Sequence, residues 1–280
     1  MKKKVYVVLF VLFLLGAAVA GYVVISDLLE YKQAADYYRG LENDWVTVSE
    51  PNPESTESPS ETPEASPAVT KPDESPAPAT ETPVPSYTRP GRTAPIAIDF
   101  EGLCHMNPEI VGWICCEGTQ VSYPVLRGTD NQKYLKIQPD GKTSKSGSIF
   151  IDCACEADFS SDNTIVYGHN LKNGMFSSLS EYRKQEYYEA HPVWWLLTPG
   201  GDYKIEIFSA FVVDAGAWVY QIGLGDEDAK AAFIERCLRY SNFESTYTPS
   251  PGDRLITLST CNYAFNDARY VVVGALVPVD

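Results

Sequence analysis

Two β-branched runs lie close together near the C-terminus, Arg254-Leu-Ile-Thr-Leu-Ser-Thr-Cys261 and Tyr270-Val-Val-Val-Gly-Ala-Leu276. Only a short polar loop, residues 262–268, separates them, so they read as neighbouring strands of one sheet. A thiol at the exit of the first and the guanidinium of Arg269 at the entry of the second then share one sheet edge. A buried structural cysteine needs no cation beside it. A nucleophilic thiolate and the oxyanion it creates both gain from one. This pairing points to an enzyme.

The rest of residues 96–280 supports a sheet-built domain. Further strand-like runs occur at 112–116, 121–126, 147–152, 163–167, 194–198 and 203–213, punctuated by Gly, Pro, Asn and Asp. Helical patterns are fewer. One covers residues 176–188 and another 226–240, where Ala231, Ile234 and Leu238 mark an apolar face. Some eight strands with little helix between them predict a mostly antiparallel, closed or nearly closed β-barrel. A single domain of roughly 185 residues is an ordinary size.

The N-terminal third has a different character. Residues 1–4 form a basic tail ahead of an uncharged stretch at 5–25, long enough as a helix to cover about 30 Å of bilayer. The lysines favour a cytoplasmic N-terminus, with everything after residue 25 outside. A cleaved signal peptide is the competing reading, since Ala18-Val-Ala20 resembles a cleavage site, but the apolar run continues past it. Residues 26–48 are expected to extend that helix outward. Residues 49–95 are rich in Pro, Ser, Thr, Glu and Ala, which bury too little surface to offset ordering entropy. They read as a disordered spacer of roughly 140 Å contour length that holds an exported domain away from the membrane.

The formal net charge of -15 argues against nucleic-acid binding, which needs a basic face. Seven cysteines leave six besides Cys261, enough for three disulfides in fifteen connectivities, although small buried thiols are the plainer reading. Cys153 and Cys155 are expected on one face of a strand, Cys115 and Cys116 on opposite faces. No C-x2-C pair occurs and the three histidines are scattered, so neither a metal nor another cofactor is expected. Among His105, His169 and His191, His169 is the favoured partner for Cys261. It follows Thr164-Ile-Val-Tyr-Gly168, where a strand breaks at glycine and side chains emerge from the scaffold. The pair can act as thiolate and imidazolium, or through a minor active fraction of the neutral forms. Arg269 stays cationic and suits a developing oxyanion.

Several segments together resemble the class B sortases, membrane-anchored cysteine transpeptidases of Gram-positive bacteria. They are Val111-Gly-Trp-Ile114, Tyr123-Pro-Val125, Gly128-Thr-Asp-Asn131, Gly147-Ser-Ile-Phe-Ile-Asp152, Thr164-Ile-Val-Tyr-Gly-His-Asn170 and Thr257-Leu-Ser-Thr-Cys261 with Asp267-Ala-Arg269. The resemblance implies an eight-stranded sortase-type barrel with a helix inserted before the cysteine strand, at 226–240. It also implies Cys261 as nucleophile, His169 as general acid/base and Arg269 as oxyanion clamp. Asn131, Leu135 and Ser259 would line a groove for a sorting-signal peptide, with Tyr167 near the histidine. The implied reaction cleaves a Thr–Gly or Thr–Asn bond through a thioacyl-enzyme and passes the acyl group to an amine of a cell-wall precursor or pilin. Asn262 departs from the family, standing where an acidic residue is common. A hydrolytic cysteine peptidase and a non-catalytic, wall-spanning binding module are the alternatives.

Overall fold

The computed structural model describes residues 2–48, 94–171, 174–262, 264 and 266–279. Most of the Pro-rich stretch expected as a spacer lies outside the described residues. Chain order gives α1 (Lys2–Trp45), β1 (Val46–Val48), β2 (Ile96–Ile98), α2 (Phe100–Met106), β3 (Ile110–Cys115), β4 (Ser122–Leu126) and β5 (Ile149–Ile151). There follow β6 (Asn163–Tyr167), β7 (Asn170–Leu171), β8 (Gly174–Met175), α3 (Gln185–Ala190) and β9 (Val193–Thr198). The chain ends with β10 (Gly201–Asp214), α4 (Glu227–Tyr240), β11 (Arg254–Cys261) and β12 (Ala268–Val279).

Eight strands close into a barrel in the order β10-β12-β11-β6-β5-β4-β3-β9. All eight coincide with runs expected from β-branched and aromatic periodicity. Six of the eight neighbour pairs are antiparallel; β4–β5 and β6–β11 are parallel. The parallel pairs arise because long connections, one of them containing α4, return the chain to the same end of the barrel. The interior is filled by large side chains, among them Trp113, Trp194, Tyr134, Phe150 and Phe176, all essentially inaccessible to solvent. A second apolar layer, with Phe208, Phe211, Phe233, Ile234 and Cys237, joins α4 to the outer face of β10 and β12.

Several local expectations are corrected. The buried face of α4 is Phe233, Ile234 and Cys237 with Leu238 packed partly against it, so Ile234 and Leu238 match the stripe read in the sequence while Ala231 is exposed. Its start is fixed by Asp226, which accepts from Ala229 N at 2.9 Å, and by the Lys230–Asp162 ion pair at 2.6 Å. The pattern at 176–188 is not one helix: a 3-10 segment, Ser177–Arg183, precedes α3. Cys153 and Cys155 sit in a turn after β5 rather than on a strand. All seven cysteines are free thiols, so no disulfide braces the barrel.

The N-terminal third begins with one long helix. Helix α1 runs unbroken for 44 residues, and an uncharged stretch makes it long and apolar enough to cross a membrane. Its outer part packs on the barrel, burying Ala34, Tyr38 and Leu41. The end of the expected helix is instead strand β1, which pairs with β2 (Val46↔Ile98, Val48↔Ile96). Val48 and Ile96 are therefore neighbours.

Candidate active site

Strand register builds the site. In the parallel β6–β11 ladder Tyr167 is the partner of Ser259. Cys261 ends β11 two residues beyond Ser259, and His169 follows the end of β6 by two residues, so both leave the barrel at the same rim. In the antiparallel β11–β12 ladder Cys261 is the register partner of Arg269. Directly opposed residues project to one face, with Cβ atoms about 5 Å apart. Three side chains distant in sequence thus converge on the end of β11. All three are half-buried.

Hydrogen bonds stitch the two strand exits together. Gly168 N donates to Ser259 O at 3.1 Å, Thr260 Oγ1 to Gly168 O at 2.8 Å, and Asn170 Nδ2 to Cys261 O at 2.8 Å. Gly168 has no substitute, because a Cβ there would lie 2.5 Å from Ile149 and 2.6 Å from Phe176. The 259–261 and 168–170 segments are held as a unit. Deeper in, the fully buried Asn163 accepts from Thr257 Oγ1 at 2.9 Å and donates to Val219 O and Gln221 O, fixing the β6–β11 register.

The imidazole of His169 is oriented by a backbone carbonyl: Nε2 lies 2.8 Å from Leu135 O. A carbonyl only accepts, so Nε2 carries the proton and Nδ1 remains available. Arg269 donates from Nη1 to Ala268 O at 3.0 Å and forms no ion pair with Asp267 or any other described carboxylate. The Cys261 thiol has no hydrogen-bond partner among the described residues. Asn262 N bonds Ala268 O at 2.9 Å, and its side chain caps the turn at Ala264, so this position acts in the loop.

A cleft of about 230 Å³ opens on these groups and is lined by Leu135, Tyr167, His169, Ser259, Cys261 and Arg269, with Asn131 at its margin. All seven residues singled out in the sequence border it. Asn131 is largely committed elsewhere: its Nδ2 donates to Asp152 at 2.7 Å and its Oδ1 accepts from Cys153 N. Tyr167 donates to the same Asp152 oxygen at 2.9 Å, and burial together with that carboxylate pushes its phenol well up. The wall also contains residues the sequence reading missed. Phe150 and Tyr220 flank Tyr167, ring centroids 5.4 and 6.4 Å away, and Tyr220 shares a hydrogen bond with Ser259 at 2.9 Å. Burial raises the Tyr220 phenol to about 12, so it stays neutral. Nothing in the local pattern around Tyr220 flagged it, because it sits on a short 3-10 turn, Trp218–Tyr220, which has no strand or helix period. Among the described residues no group of histidines, cysteines and carboxylates is arranged to hold a metal ion.

The sortase domain profile matches residues 114–277, more than half of the chain and the whole of this site. The chain belongs to the sortase family. Its relatives place it in class B. Sortase B of Staphylococcus aureus is 34% identical over 183 residues, covering 64% of this chain and 75% of that protein. Sortase B of Listeria monocytogenes is 30% identical over 182 residues, covering 64% and 74%. The crystal structure of the Staphylococcus aureus enzyme superposes with a TM-score of 0.62 over 65% of this chain and 87% of that one. This sortase is accordingly a cysteine transpeptidase, and its closed eight-stranded barrel with few helices is that of the sortase B structures.

Proposed function

We propose that this enzyme cleaves C-terminal sorting signals at a Thr–Gly or Thr–Asn bond, with Cys261 as nucleophile, His169 as general acid and base, and Arg269 as the oxyanion clamp. The observation that supports this reading is that Cys261 and Arg269 are register partners and line one cleft together with His169. The Cys261 thiolate attacks the Thr carbonyl, and the new oxyanion meets the Arg269 guanidinium and nearby backbone N–H groups. His169 gives a proton to the leaving amine, and a thioester remains on Cys261. An incoming amine attacks that thioester and passes a proton to His169, releasing the ligated product. Because Nε2–H is committed to Leu135 O, the nitrogen that exchanges protons is Nδ1.

The aromatic wall of Phe150, Tyr167 and Tyr220, with Leu135 and Ser259, suits a peptide of apolar and small polar residues rather than a charged one. Asn131 serves this groove by bracing Asp152. The acceptor is an amine of a cell-wall precursor or a pilin. The apolar part of α1 spans the membrane once, with the lysines at 2–4 on the cytoplasmic side and the barrel outside.

The test incubates the full-length protein with peptides containing Thr–Gly or Thr–Asn bonds, with and without a glycine amine. Amine-dependent ligation, abolished by Cys261→Ala, is the expected outcome. Hydrolysis that the amine never diverts would make the enzyme a thiol peptidase. No cleavage, together with a Cys261 thiol inert to alkylation, would leave a binding module.

A further inference from the structure

The outer half of α1 does more than tether the barrel. It contacts residues 133–148, the segment that carries Leu135, at several points. Tyr38 donates to Gly147 O at 2.5 Å, and Asp140 N donates to Tyr37 Oη at 3.1 Å. The Lys145 ammonium pairs with Asp27 at 2.6 Å and Glu30 at 3.0 Å, and Lys145 N donates to Glu30 at 3.0 Å. The far end of the helix is fixed too, by the β1–β2 pair and by Asp99 N donating to Trp45 O at 3.0 Å.

Gly147 links this contact to the site. Its φ is +54°, and a Cβ there would lie 2.4 Å from Tyr134 O and 2.7 Å from Leu135 O, so those two carbonyls approach the Gly147 backbone with no room for a side chain between them. Ser148 N donates to Tyr134 O at 2.9 Å, and Ser144 N to Lys136 O at 2.9 Å. Leu135 O, held between these bonds, is the acceptor for His169 Nε2. Tyr38 itself is 5% exposed, and its hydroxyl is buried at this contact.

We infer that α1 is a structural part of the catalytic domain and that Tyr38 is a positioning residue for His169, acting through Gly147 and the Leu135 carbonyl. Resting on the catalytic role proposed for His169, this relation makes the membrane helix a requirement for full activity rather than a passive anchor. Removing the hydroxyl leaves the Gly147 carbonyl without its donor and frees the 145–148 turn to shift, which slackens Leu135 O. The ring nitrogen then loses its fixed orientation, and turnover suffers while the peptide groove is unchanged.

The experiment uses the full-length chain in lipid nanodiscs, labelled with 15N-histidine. The wild type is expected to show an exchange-protected Nε2–H resonance that disappears in His169→Gln. Tyr38→Phe keeps the ring packed and is expected to weaken or shift that resonance. It should lower kcat by roughly three- to tenfold, the scale of one buried hydrogen bond, with KM little changed. Should Tyr38→Phe lower the melting temperature substantially, the double variant Asp27→Asn, Glu30→Gln tests the same brace at the exposed end of the contact, with the same direction of change expected. A folded Tyr38→Phe enzyme with wild-type resonance and kcat overturns the inference. The resonance is read without any substrate. A wild type inactive on every sorting peptide, whose resonance still responds to Tyr38→Phe, would remove the catalytic reading and leave the positioning relation standing.

Discussion

Cys261 and Arg269 are the terminal register pair of the β11–β12 ladder, eight residues apart in sequence and directly opposed in space. The turn between them includes Asp267 at φ 59°, which reverses the chain in time to keep Arg269 in the pair. Among the described residues the guanidinium is anchored by its neighbour's carbonyl and has no acid to neutralise it. Its charge is therefore available to substrate.

Arg269→Ala is expected to lower kcat at least about 100-fold, the usual cost of losing an oxyanion donor. The melting temperature should barely move, because no ion pair is broken. Arg269→Lys keeps the charge but not the fork and should recover only part of the rate. Steady-state kinetics on a sorting peptide, alongside thermal melts, provide the check; near-normal turnover in Arg269→Ala would remove the clamp role.

The cysteines should separate by reactivity. Burial pushes Cys155 up to about 11 and Cys116 to about 12, and moves Cys115 and Cys237 higher still, so these four remain protonated thiols at neutral pH. Only Cys104, Cys153 and Cys261 are partly exposed, and of these Cys261 alone lines the cleft. Iodoacetamide at pH 7.5 under native conditions is expected to modify Cys261 first and to abolish turnover at one label per chain. Peptide mapping by mass spectrometry reads this directly, and initial labelling of any of the four buried thiols would contradict it.

The site was legible because its pieces are strand ends. The β-branched runs ending at Tyr167-Gly168 and Cys261 and starting at Arg269 located β6, β11 and β12, and short loops at glycine located the rim. What pattern could not convey was pairing across distance. Nothing local says that β6 and β11 run parallel, since that follows from the long connection between them, and their register from Asn163 and Thr257 meeting in the core. Tyr220 and the Leu135 carbonyl were obscure for a related reason: a backbone acceptor has no residue-type signature, and a side chain on a 3-10 turn has no period. Strand β1 was obscure as well: three residues are too few to show a period, so Val46–Val48 read as the end of a helix and instead pair with β2.

Asn163 should be a stability hot spot. Three hydrogen bonds converge on its fully buried amide, from β11 and from the 219–221 segment. Asn163→Leu leaves a buried hydroxyl and two carbonyls unpaired, at about 1–3 kcal/mol each before relaxation. Thr257→Val removes a single bond and should cost less. Urea unfolding of the two variants checks the order, and a Thr257→Val loss exceeding that of Asn163→Leu would refute it.

The Lys230–Asp162 pair gives a pH signature. Lys230, with the Leu224 N–H, holds the Asp162 carboxyl below its ordinary value of 3.8 despite partial burial. The folded state therefore binds a proton at Asp162 less readily than the unfolded chain does. The resulting stabilisation is present above the ordinary carboxylate range and is lost as pH falls through and below it. Asp162→Asn should melt lower than wild type at pH 7, with the gap narrowing as pH approaches 3. A gap that persists undiminished at low pH would show that the charge is not what anchors α4.

Thr260 tests whether the strand exits must be locked for chemistry. Its hydroxyl donates to the carbonyl of Gly168, the residue before His169. Thr260→Val preserves shape and β-branching but leaves that half-buried carbonyl without its donor, a defect of about 1 kcal/mol. Gly168 can relieve it only by shifting, and any shift carries His169 with it. The expected result is a several-fold loss in kcat with little change in KM, while Thr260→Ser, which restores the hydroxyl, recovers most of the rate despite losing a methyl. If Thr260→Val destabilises the fold but turns over normally at a temperature where it is fully folded, the histidine is placed by Leu135 O alone.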